Sequence, residues 1–98
     1  MKQSSDEQFE WLNGRLFAIE ILTGQMLACQ LMHCNPEQRE TMRHELPIGL
    51  ENNLALLSNL AQQVAMASMQ QIVDGAIATA EAMEKANLDQ GIDPPWKV

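Results

Sequence analysis

The sequence has no tyrosine and only four aromatic residues, Phe9, Trp11, Phe17 and Trp96. A core built from it must rest on Leu, Ala, Met and Ile, which are mostly good helix formers, while β-branched residues are sparse. Basic residues are also scarce. Six Lys and Arg stand against thirteen Asp and Glu, for a formal charge of −7. Phosphate backbones and anionic lipid surfaces are held by clustered Lys and Arg. The balance therefore argues against direct nucleic-acid binding and against membrane association, and favours a basic partner or plain solubility.

Only two cysteines occur, Cys29 and Cys34. Five residues apart on a helix they are poorly placed to bridge, and two do not make a disulfide framework. No long apolar run is present. The longest charge-free stretch, residues 52–73, carries nine Asn, Gln or Ser residues, which is unsuitable for a bilayer-spanning helix. The start, MKQSSDEQFEW, has no apolar segment of the kind that secretory signals carry. The expectation is a reduced, cytoplasmic protein. Gly-rich phosphate loops and nucleophile motifs are likewise missing, so no catalytic residue is assigned and a non-enzymatic role is expected.

What is there is helical periodicity. The 98 residues, 46% apolar, amount to one small all-α domain. Ser4 with Glu7, or Ser5 with Gln8, has capping-box spacing, so a first helix is expected over about 6–34, ending before Pro36. Asn35 is a good N-cap and Pro36 suits the first helical position, which predicts a short connecting helix over about 36–46 with His44 in its last turn. Leu50, Leu54, Leu57, Ala61, Val64, Ile72, Ala76 and Met83 hold one phase, which predicts a third helix over about 48–86, continuous through Gly75. The remainder, 87–98, contains Pro94-Pro95 and is expected to be extended. Ile92, Pro94, Pro95 and Trp96 are candidates for a motif shown to a partner, or for an anchor that docks back on the helices.

The first helix is apolar on two sides. Phe9, Leu12, Leu16, Ile19, Met26 and Leu27 share one side; Phe17, Ile21, Ala28 and Met32 share another. A long helical hairpin closed by a short connecting helix covers only one of them. The expectation is that two hairpins pair as a homodimeric four-helix bundle, with Leu12, Leu16, Phe17, Ile19, Ile21, Met26 and Ala28 in the interface.

One stretch carries metal-ligand residue types. Cys29 and His33 are four apart, as are Glu40 and His44, and four apart on a helix means one face. If the turn at Asn35-Pro36 folds one helix on the other, the four would suit zinc, with Cys34 as an alternate ligand. Against this, a cysteine in an apolar helix usually serves as a small hydrophobe. Three functional readings follow. The first is a protein–protein interaction module, an adaptor, chaperone or regulator acting as a homodimer on another protein. The second is an acidic inhibitor seated on a basic or nucleic-acid-binding surface of a target. The third is a small zinc-binding bundle.

Overall fold

The computed structural model describes residues 2–97, with side chains from residue 5 onward. Three α-helices and one short 3-10 turn make up the chain: α1 (Lys2–Leu31), α2 (Pro36–Leu50), the 3-10 turn (Glu51–Leu54) and α3 (Asn59–Asp89). No strand occurs among the described residues. The all-α expectation holds, and several boundaries move.

α1 begins at Lys2, so Ser4 and Ser5 lie inside the helix and are not its caps; the side chain of Ser4 falls outside the described residues. The helix ends at Leu31, three residues before the expected end. Local chemistry sets the turn that follows. Asn35 Oδ1 accepts from Gln38 N at 2.8 Å, and Gln38 Oε1 accepts from Asn35 N at 2.9 Å, a reciprocal capping box with Pro36 at the first helical position.

α2 does not stop at Leu46-Pro47. It continues through Pro47 to Leu50, which places His44 in mid-helix. Proline inside a helix removes one N–H and leaves the carbonyl four residues back without its partner. Here that carbonyl is Arg43 O, and Gln70 Nε2 of α3 donates to it at 3.3 Å. A side chain of the neighbouring helix thus replaces the missing bond, and Pro47 is buried between them.

The expected third helix from residue 48 is two pieces. The chain turns at 51–58, and α3 starts only after Ser58, whose Oγ accepts from Ala61 N at 3.2 Å as an N-cap. It runs unbroken through Gly75, as expected, and three residues past 86. Gly91 then stops it at φ +80°. Ile92 N donates to Asn87 O at 2.8 Å and Gly91 N to Leu88 O at 3.0 Å, the bond pair of a Schellman motif.

The order of contacts replaces the hairpin with an up-down-up arrangement. Arg39 reaches Glu84 while Arg43 reaches Asp74, so α2 runs antiparallel to α3. Arg39 also reaches Leu31 O, while Thr23 and Leu27 line a groove with Leu46, Pro47 and Leu50, so α2 runs antiparallel to α1 as well. The two long helices are therefore parallel. The sequence alone underrated α2: at fifteen residues it is a full returning helix. α1 and α2 both pack on α3.

The result is a slab 57 × 30 × 13 Å, about one helix thick. Its radius of gyration is 17.0 Å, against about 13 Å for a compact chain of this length. The buried apolar core comprises Ala28, Leu31, Val73, Ala76, Ile77 and Ala80, at the C-terminal end of α1 and the middle of α3. Three of the six are alanines, which lets the helices approach closely there.

Candidate functional site

Chemistry-bearing residues come first. Leu31 closes α1, so His33 lies in the turn and no longer shares a helical face with Cys29; both are exposed. Glu40 and His44 do share a face of α2, with His44 Nε2 3.3 Å from Glu40 Oε1, both on the surface. Glu40 also accepts from Arg43 Nε at 3.1 Å. Cys34 turns inward, its Sγ 4.0 Å from Met42 Sδ. Among the described residues no group of three or more His, Cys, Asp or Glu side chains is gathered as a metal site would gather them. Glu40 and His44 meet on α2, as residues four apart on a helix do. Their convergence with Cys29 and His33 required a helix that ends too early.

A polar cluster that sequence spacing missed ties the three helices together. Arg39 is 3% exposed. Its Nε donates to Leu31 O at 2.9 Å, satisfying a carbonyl at the end of α1. Its Nη2 lies 2.6 Å from Glu84 Oε2 of α3. Neither of these two atoms has directed hydrogen-bond geometry with any partner among the described residues, so the contact is an ion pair. The other Glu84 oxygen accepts from the Trp96 indole N–H at 3.2 Å. Trp96 is half-buried and Pro94 is buried, so these two are anchors on their own chain and not a free motif. Ile92 and Pro95 remain exposed. One turn further along α2, Arg43 Nη1 contacts Asp74 Oδ1 at 2.6 Å, and Gln70 donates to the same oxygen at 3.1 Å. The Arg43 guanidinium is held above its ordinary value chiefly by its hydrogen bond to Glu40, with Asp74 adding to it. These contacts fasten the fold.

The feature the fold leaves unexplained is α1. Every described side chain from residue 5 to residue 23 is exposed. Among them Phe9 is 65% exposed, Phe17 63% and Leu16 49%, with Leu12, Ile19, Ile21 and Leu22 alongside; Met26, in the following turn, is 70% exposed. Of the residues expected in a dimer interface, Leu12, Leu16, Phe17, Ile19, Ile21 and Met26 are open to solvent. Ala28 is not. It is fully buried in the intramolecular core, because the side it shares with Phe17 and Ile21 turns toward α3. The two apolar sides of α1 thus have different fates: one begins to pack on α3 from about Gly24 onward, and the other is bare as far as Leu22, beyond which Thr23 and Leu27 border α2.

Scattered exposed apolar residues are ordinary on a protein surface, whereas a contiguous stripe of large ones is uncommon on a monomer. Total area makes the same point. The chain exposes 7580 Å², whereas a compact monomer of 11.0 kDa exposes about 5,600 Å². The excess is of the size that a protein–protein interface covers. No helix among the described residues is long and apolar enough to cross a membrane. No family model matches the chain, and neither a curated protein nor a solved structure does.

Proposed function

We propose that this protein is a non-enzymatic helical interaction module that works as a homodimer, an adaptor, chaperone or regulator for another protein. The observation that carries the reading is the uncovered stretch of α1, residues 5–23. A thin slab with six buried apolar side chains has little internal stabilisation, since small domains bury a modest share of their surface. Covering the free side of α1 with a second copy removes the apolar stripe from water. Such a dimer keeps the feature expected from the pattern, both copies of α1 at the centre with each α3 outside, but with α2 as a full third helix each copy brings three helices and not two.

Thermal unfolding at several protein concentrations tests the reading. A protein stabilised by self-association melts at a temperature that rises with concentration. The expected result is a midpoint that climbs by several degrees across a hundredfold range. A cooperative transition independent of concentration would contradict it.

A further inference from the structure

We infer that the dimer forms by parallel, in-register pairing of α1 with α1 of a second copy, through a heptad stripe. This inference rests on the self-association proposed above and specifies its geometry. The exposed side of α1 carries Phe9, Leu12, Leu16, Ile19, Thr23 and Met26, spaced 3, 4, 3, 4 and 3 residues apart. That alternation is the 3.5-residue repeat of a two-stranded coiled-coil seam, with Phe9, Leu16 and Thr23 at one core position and Leu12, Ile19 and Met26 at the other. All six are exposed in the monomer. The stripe spans about 26 Å. Its N-terminal part, Phe9 to Ile19, lies away from α2 and α3, while Thr23 borders the groove with Leu46, Pro47 and Leu50 of α2, so a twofold axis along the free part sets the two slabs edge to edge without displacing any residue of the core.

Charge selects the direction. Between residues 8 and 29 the positions flanking the stripe are Gln8, Asn13, Arg15, Glu20, Leu22, Leu27 and Cys29, of which only Arg15 and Glu20 are charged. In a parallel pair, a flanking residue before the core position meets the residue five further along the partner. Arg15 of each copy then meets Glu20 of the other, twice by symmetry. In an antiparallel pair the same two positions face their own kind, and no opposite charges meet. Arg15 is already held on that flank, with its guanidinium 5.4 Å from the centre of the Trp11 ring. The area is sufficient. A standard interface buries about 800 Å² per partner, well within the excess that this chain exposes.

The test uses the full chain with Cys29→Ser and Cys34→Ser, verified as helical by circular dichroism. Leu16→Cys is added, and the protein is equilibrated in a glutathione redox buffer. In-register parallel pairing brings residue 16 against its own copy, so a covalent dimer is expected to dominate. In the chain without Leu16→Cys, Arg15→Glu and Glu20→Arg are each expected to raise the dimer dissociation constant at least about threefold at low salt, and the double exchange to restore it. A dimer that neither cross-links at 16 nor responds to the exchanges would overturn the parallel seam while leaving self-association standing. A trimer or larger assembly would overturn the two-stranded geometry. A monomer at every concentration would overturn both this geometry and the function proposed above.

Discussion

Arg39 and Glu84 meet where the end of α1, the start of α2, the end of α3 and the tail come together. Both are largely buried, at 3% and 12% exposed side chain, so removing one leaves the other charge in a poorly solvated place. Arg39→Ala is expected to destabilise the protein by about 3 kcal/mol in urea denaturation. Glu40→Ala, which removes only surface contacts, should cost less than about 1 kcal/mol. Equal losses for the two would contradict the role given to Arg39. Gly91 offers a second residue-scale test. Its φ of +80° disfavours any side chain, although nothing within 4 Å would meet an added Cβ. Gly91→Ala should lower stability by about 1 kcal/mol through backbone conformation alone, measurable as a lower melting temperature. Asn35 was legible in the sequence because a capping box is local. Arg39 was not, because Leu31, Glu84 and Trp96 come from segments whose packing no local spacing encodes.

The helices show a similar division. That the chain is helical, that Asn35-Pro36 starts a helix and that Gly75 does not break one all follow from propensity and capping. The start of α3 did not follow. Leu50, Leu54 and Leu57 continue a plausible helical phase into Ala61, yet the chain turns between them, so that phase says nothing about α3 itself. Its buried residues are Val73, Ala76, Ile77 and Ala80, on a face rotated from the one the leucines suggested. The signal that marks the break is Ser58 before Asn59. Pro47 misled for a related reason: the donor that lets it sit inside α2 is Gln70, on another helix. This gives a prediction for the element. Gln70→Ala should cost about 1–2 kcal/mol, because Arg43 O loses its donor and Asp74 a partner. In a Pro47→Ala background the new N–H can satisfy Arg43 O from within α2, so the same change should cost clearly less. Equal costs in the two backgrounds, in a double-mutant cycle by chemical denaturation, would contradict this account of Pro47.

For the whole molecule, two parallel long helices joined by a returning α2 make a thin plate in which α1 has one side against α3 and one side bare along residues 5–22. The two apolar sides of α1 were visible in the sequence as a pattern. Which of them serves the monomer was not, since that depends on α3 meeting Ala28 and Leu31 and not Leu12 and Leu16. Cys29 and His33 are separated for a local reason, since the Asn35-Pro36 turn ends α1 two residues before His33. The bare side gives the protein its proposed role, and burial of Leu16 against a second copy is the contact expected to matter most. Leu16→Glu should separate the dimer and leave a chain of reduced helicity or one that aggregates, because the remaining core is six residues.

Sedimentation equilibrium of the untagged chain at micromolar concentrations tests the central claim most directly. The account predicts a mass of twice 11.0 kDa, falling to the monomer value on dilution, with Leu16→Glu failing to reach it. A stable, fully helical species of 11.0 kDa at every concentration would show that the bare side of α1 needs no second copy, and would contradict it.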